Sequence, residues 1–136
     1  MLCLDSYVLM DILSDKADRA LKGQKYLEEV KRKGCMLPST VLAEVFFHVA
    51  RRNTPDNASK AITFIKSIEN LHIVDINQDI SIMAGSLRAK YYHHEKRAIS
   101  YLDCIHLATA IMNNCKKFVT GDKDFKGIEE IEIEVY

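Results

Sequence analysis

Four acidic residues occupy positions from which a folded chain can gather them. Asp5 follows the short apolar run Met1–Leu4, and Asp122 follows Phe118-Val119 in the segment Val119-Thr120-Gly121-Asp122. Asp103 precedes Cys104, Leu107, Ala108 and Ile111, which recur at i, i+3, i+4 and i+7 as the stripe of an amphipathic helix. Glu44 lies in a helix predicted from Pro38-Ser39 to about Arg52. On a wheel of roughly 100° per residue, Leu42, Val45, Phe46 and Val49 cover one side, and Val41, Ala43 and Phe47 widen it. Thr40, Glu44, His48 and Arg51 share the remaining sector. A helix so apolar is predicted to be buried between other elements, with its polar strip facing water or a polar site. Carboxylates are hard oxygen donors that suit Mg²⁺ or Mn²⁺. Brought close together they repel, which raises their pKa values. A divalent cation relieves that repulsion and lowers the pKa of a bound water, the chemistry of metal-assisted hydrolysis. Each acid also has an ordinary use. Asp5 can N-cap a following helical turn, and Asp103 completes the capping-box pattern Ser100-x-x-Asp103. Glu44 can pair with His48, and Asp122 can serve a turn beside Gly121.

The elements that must position these acids alternate along the chain. Short apolar runs at Met1–Leu4, Cys35–Leu37, Leu71–Val74 and Phe118-Val119 read as strands. Helical patterns lie between them: a turn or two over Ser6–Leu13, then a helix closing with Lys31-Arg32-Lys33 and Gly34. Further helices begin after Pro38-Ser39, after the Thr54-Pro55 cap, and at about Gln78. Glu130–Val135 alternates strictly between acid and aliphatic, as a half-exposed edge strand does. Strands alternating with helices predict an α/β fold with a mainly parallel sheet, over a single domain spanning residues 1–136. Ligands of such sheets bind beyond the carboxyl ends of the strands, so acids directly after strands are the first candidates.

Composition narrows the function. Nineteen Lys and Arg balance nineteen Asp and Glu, which disfavours nucleic-acid binding by bulk charge; any such contact must come from local patches. The four cysteines, Cys3, Cys35, Cys104 and Cys115, form no Cys-x-x-Cys pair and sit among apolar neighbours. They are expected to be free and buried, as in a reducing cytosol. No secretory signal or membrane-spanning run is apparent, so the expected location is cytoplasmic. No Ser/His/Asp or Cys/His arrangement and no glycine-rich phosphate loop is supported.

The chain resembles the PIN domain, and more narrowly the VapC-type toxin ribonucleases. The resemblance rests on Leu4-Asp5-Ser6, on Glu44 after Pro38-Ser39, on Tyr101-Leu102-Asp103-Cys104-Ile105-His106-Leu107-Ala108-Thr109-Ala110, and on Thr120-Gly121-Asp122-Lys123-Asp124-Phe125. It implies a three-layer α/β/α domain with the acids gathered at the carboxyl edge of the sheet. It implies that Asp5 and Asp103 are the principal ligands of Mg²⁺ or Mn²⁺, and that Glu44 and Asp122 complete the catalytic pocket. Asp124 is the second acid of its motif, and Ser6 and Thr120 are support residues that orient carboxylates or water. His106 departs from the small or apolar residue expected there; at i+3 from Asp103 it can reach the pocket, but a local structural role is the expectation for it. The implied reaction is hydrolysis of RNA phosphodiesters to 5′-phosphate and 3′-hydroxyl ends. The implied protein is the toxin of a type II toxin–antitoxin pair, a homodimer held by an antitoxin that fills the acidic groove. Arg51, Arg52, Lys96 and Arg97 are the candidate RNA contacts, with Arg88, Lys90 and the run Tyr91–His94 as further candidates. A housekeeping RNA-processing nuclease and a non-catalytic interaction module on the same scaffold are the alternatives. A phosphoacceptor receiver domain centred on Asp75 lacks the paired acids and late lysine it needs.

Overall fold

Five short runs, mostly apolar, pair side by side, the three central ones largely buried and the two at the edges partly exposed. In the computed structural model, which describes Met1–Tyr136, they are β1 (Leu2–Leu4), β2 (Cys35–Pro38), β3 (Leu71–Val74), β4 (Lys117–Thr120) and β5 (Glu132–Val135). They form one sheet in the order β3-β2-β1-β4-β5, with every pairing parallel. The connecting helices are α1 (Ser6–Ile12), α2 (Ala17–Lys33), α3 (Ser39–Arg52), α4 (Pro55–Ser67), α5 (Gln78–Tyr91) and α6 (Tyr101–Met112).

The pleat sorts these helices into two layers. Leu2, Leu4 and Val119 point to one face, where they meet Val8, Leu9, Tyr26, Val30, Val45 and Ile65 of α1 to α4. Cys3 and Phe118 point to the other, against Ile80, Leu87, Cys104 and Leu107 of α5 and α6. Alternation along a strand thus builds a three-layer α/β/α stack with a core on each side. All four cysteines are free and buried. Burial pushes the Cys35 thiol up to about 12 and that of Cys104 to about 11, so both stay unreactive.

The chain runs outward from β1 to β2 and β3, then returns to add β4 and β5 on β1's other side. The order therefore reverses between β1 and β4, and a crevice opens at their carboxyl ends. Asp5 directly follows β1 there, and Thr120 ends β4.

Two expectations need correction. The α3 helix is not buried most of the way round: Val41 and Val45 are fully covered, but Phe46 is 39% exposed and Phe47 57%. Its apolar surface exceeds what this chain can cover. The strand expected over Glu130–Val135 is shorter, Glu132–Val135, and lies at the sheet edge as anticipated. Its charged face is not wholly given to water. Glu134 accepts hydrogen bonds from the Tyr26 hydroxyl and from Lys117 Nζ.

Gly23 lets α1 and α2 meet. A Cβ there would lie 2.5 Å from the backbone nitrogen of Ile12 and 2.7 Å from the carbonyl carbon of Asp11. Backbone cannot rotate aside, so overpacking of about 1–3 kcal/mol outweighs the gain of about 1 kcal/mol in helix propensity. Gly23→Ala is expected to lower stability by about 1 kcal/mol, the middle of that difference, in a urea titration; an unchanged midpoint would contradict this packing.

Candidate active site

Asp5 is the hub. It is 4% exposed and caps α1. Its Oδ1 accepts the Ser6 amide at 2.8 Å, and its Oδ2 accepts the Thr120 hydroxyl at 2.8 Å. The Thr120 oxygen in turn accepts the Asp122 amide at 3.0 Å. One buried hydroxyl thus ties the end of β1 to the turn after β4. Asp122 Oδ1 then accepts the Asp124 amide at 2.9 Å and opens the 3-10 turn Lys123–Phe125.

Asp103 and Glu44 arrive from the helices. Ser100 caps α6 through a complete capping box: its hydroxyl accepts the Asp103 amide, and Asp103 Oδ2 accepts the Ser100 amide at 2.9 Å. Capping engages one carboxylate oxygen, and Asp103 also lines the cleft, so its ordinary use as a cap does not take it away from the other acids. Glu44, one turn along α3 from Thr40, is half-buried, and its buried Oε1 has no hydrogen-bond partner. Burial pushes its carboxyl up, the His106 ring opposes this, and the Asp5 charge adds to it. Burial raises the Asp103 carboxyl as well, against its bonds to Ser100, with Asp5 again adding.

Asp5, Glu44, Asp103 and Asp122 all line one cleft of about 510 Å³. Donor atoms of Asp5, Glu44 and the fully buried His106, which does not itself line the cleft, lie within 4.8 Å of one another. An orphaned buried oxygen among crowded carboxylates is costly unless something positive meets it. The donor set therefore fits a divalent cation. Asp103 and Asp122 face the same cleft outside that tightest cluster.

Similarity to known proteins agrees with this geometry. The family model of the PIN domain matches residues 2–131. The chain belongs to the PIN domain family. This PIN domain also superposes on solved structures of toxin–antitoxin systems. One is the VapBC2 of Rickettsia felis bound to a promoter DNA fragment, at 21% identity over 98% of this chain and 97% of that one, with TM-score 0.77. Another is VapC20 of Mycobacterium tuberculosis, described as a sarcin-ricin loop cleaving toxin, at 19% identity over 97% and 99%, with TM-score 0.75. A third is a toxin–antitoxin complex from Klebsiella pneumoniae, at 22% identity over 96% and 95%, with TM-score 0.70. At these identities the likeness is one of fold. No curated protein matches the chain in sequence.

Other candidates in this PIN domain fall in several places. Ser6 lines the cleft, whereas Asp124 does not. Of the cations singled out from the sequence, Arg52 lines the cleft and Arg51, Lys96 and Arg97 do not. Arg97 lies over the Tyr91 ring and donates to the Lys126 carbonyl, and Lys96 belongs to the exposed turn closed by the His93–Arg97 bridge. Tyr91 is held by Glu130, and His93 stacks on His94. Arg88 lies between the rings of Tyr92 and Tyr101, 4.2 Å from each centroid.

His106 corrects the expectation of a merely local role. It is fully buried, with Nδ1 3.3 Å from Asp5 Oδ1 and Nε2 3.1 Å from Thr40 Oγ1 and 3.5 Å from Glu44 Oε1. Its i+3 spacing from Asp103 was the available signal. Arg19 also lines the cleft, and sequence reasoning missed it. Its partner Asp11 lies eight residues away, across the turn between α1 and α2, where no helical periodicity links them.

Proposed function

We propose that this PIN domain is an Mg²⁺- or Mn²⁺-dependent endoribonuclease and the toxin of a type II toxin–antitoxin pair. The observation that carries the reading is the cleft at the β1/β4 switch point, which four carboxylates line and in which the buried Glu44 Oε1 has no hydrogen-bond partner. Asp5 and Glu44, with Asp103 and Asp122 beside them, are the residues that would hold the ion. When bound, a divalent cation lowers the pKa of its water and offsets charge building on a scissile phosphate. The chain's own groups do the rest. Ser6 and Thr120 fix both Asp5 oxygens, so little reorganisation is left to the moment of reaction. His106 fills the space behind Asp5 and Glu44 and excludes water from that side. Arg52 places a positive charge on the cleft wall for a polyanion.

The toxin role draws support from the fold shared with toxin–antitoxin structures. Phe46 and Phe47, left exposed on α3, offer apolar surface to an antitoxin, and we assign the chain to the cytoplasm as a homodimer. No helix is long and apolar enough to cross a membrane. Expression of the chain is expected to arrest bacterial growth, and Glu44→Gln at equal expression is expected to relieve the arrest. Normal growth with proven wild-type expression would contradict the toxin role and leave an RNA-processing nuclease.

A further inference from the structure

An acidic cleft repels the polyanion it is proposed to cut, so some fixed positive group must seat the backbone beside the carboxylates. We infer that Arg19, held by an Asp11 carboxylate that Tyr136 anchors, is the residue that binds an RNA phosphate next to the catalytic acids; this rests on the ribonuclease reading above.

Three observations carry it. Asp11 is only 2% exposed, and both its oxygens are occupied: Arg19 Nε donates to Oδ1 at 2.7 Å, and the Tyr136 hydroxyl donates to Oδ2 at 2.6 Å. Tyr136 is itself fixed, because its amide donates to the Thr120 carbonyl at 3.2 Å and its ring packs on Tyr26 and Tyr7. The Asp11 carboxylate that holds the guanidinium is thereby fixed from behind by the residue that follows β5, which is itself bonded to the end of β4. Second, the pairing runs through Nε, which leaves the terminal nitrogens for a second anion, and the side chain keeps 33% of its surface exposed. Third, Arg19 lines two adjoining hollows. One is the acid cleft. The other, of about 590 Å³, lies between the α1–α2 turn and the end of α3, and it carries Lys16, Arg19 and Arg52 against Asp15 alone. A strand lying in that basic hollow reaches the carboxylates past Arg19.

A buried ion pair is a weak route to stability, since well-packed apolar residues often do as well. What it does supply is a guanidinium with little freedom left to lose. A planar fork fixed in this way suits bidentate phosphate contact. Arg52 faces the same hollows from an exposed helix end with no ion-pair partner, so it adds charge without a fixed geometry.

The test uses fluorescein-labelled single-stranded RNA spanning the site that the wild type cleaves. Arg19→Gln is expected to raise KM about tenfold, the loss of one charge-assisted contact, with kcat changed less than about twofold. In the Asp103→Asn background, anisotropy titrations between about 50 and 200 mM salt should show the slope of log affinity against log salt falling by about 0.7 when Arg19→Gln is added, one phosphate contact on a single strand. Arg19→Lys keeps the charge and should restore most of that slope while recovering little of KM. Asp11→Asn, which loosens the clamp without removing the cation, should raise KM and keep the slope. Unchanged KM and slope in a folded Arg19→Gln protein would overturn the proposal. Arg19 would then merely neutralise Asp11 or meet a protein carboxylate. Wild-type protein that neither binds nor cleaves RNA would overturn the ribonuclease reading and this inference together, whereas cleavage indifferent to Arg19 overturns this inference alone.

Discussion

Asp103→Asn is expected to leave the fold intact and to cut affinity for Mn²⁺ at least tenfold. The asparagine oxygen can still accept the Ser100 amide, so the capping box of α6 survives. What disappears is one negative charge from a cleft that already disfavours it. The Asp103 carboxyl is raised by burial and by Asp5. For an acid raised on folding, the unfolded chain releases its proton first. The contribution of this group is therefore fully present below the ordinary carboxylate range, near 4, and is lost as pH climbs through the raised native value. The wild type carries that loss at neutral pH and the variant does not. Metal-free Asp103→Asn should thus be at least as stable as the wild type at pH 7, and the advantage should vanish near pH 3. Cation binding reverses the order. At tenfold over its dissociation constant the ion adds about 1.4 kcal/mol to the wild type, and a tenfold weaker variant gains only about 0.4 kcal/mol at the same concentration. Thermal unfolding with and without Mn²⁺ reads both effects, and equal Mn²⁺ gains in the two proteins would remove Asp103 from the ion's surroundings.

Asp11→Ala is expected to be the most destabilising change near the cleft, at about 3 kcal/mol. Its carboxylate is the shared acceptor for Arg19 and for the Tyr136 hydroxyl. Removing one partner of a buried pair costs about 3–5 kcal/mol, because the other charge stays desolvated. Arg19 keeps a third of its side-chain surface in water, which places the cost at the low end of that range. The Tyr136 hydroxyl is pushed well above the usual phenol range by burial and by its bond to Asp11, so it loses an acceptor rather than a charge. Urea unfolding of Asp11→Ala and of Arg19→Ala separates the contributions. Equal, small losses below about 1 kcal/mol would show the clamp to be a surface pair of the ordinary kind.

The sequence made the sheet and its acids legible because those signals are local. A strand followed at once by Asp needs only a short apolar run, and the stripe after Asp103 needs only helical spacing. The Ser100–Asp103 pattern named a cap that the structure forms in full. Placing Glu44 on a polar sector needed one further step, the wheel, and the sector does contain Thr40, which meets His106. What was not legible depends on contacts between distant residues. His106 touches Asp5, 101 residues earlier, and Tyr136 touches Asp11, 125 residues earlier. No periodicity carries such information. The sequence also overstated the burial of α3, because a wheel counts apolar side chains without knowing how many neighbours the chain can bring to them. Lys96 and Arg97, candidate RNA contacts that closely precede Asp103 in the chain, belong instead to a turn closed by an isolated bridge and do not line the cleft.

Metal-dependent RNA cleavage in the one carboxylate cleft is tested most directly by a single comparison. Purified wild type and Asp103→Asn, made identically, are given a mixed RNA panel with Mg²⁺, with Mn²⁺ and with chelator. The account predicts cleavage by the wild type that requires the metal, yields 5′-phosphate ends and falls at least about 100-fold in the variant. Equal cleavage by the two proteins, or cleavage that persists in chelator, would contradict it.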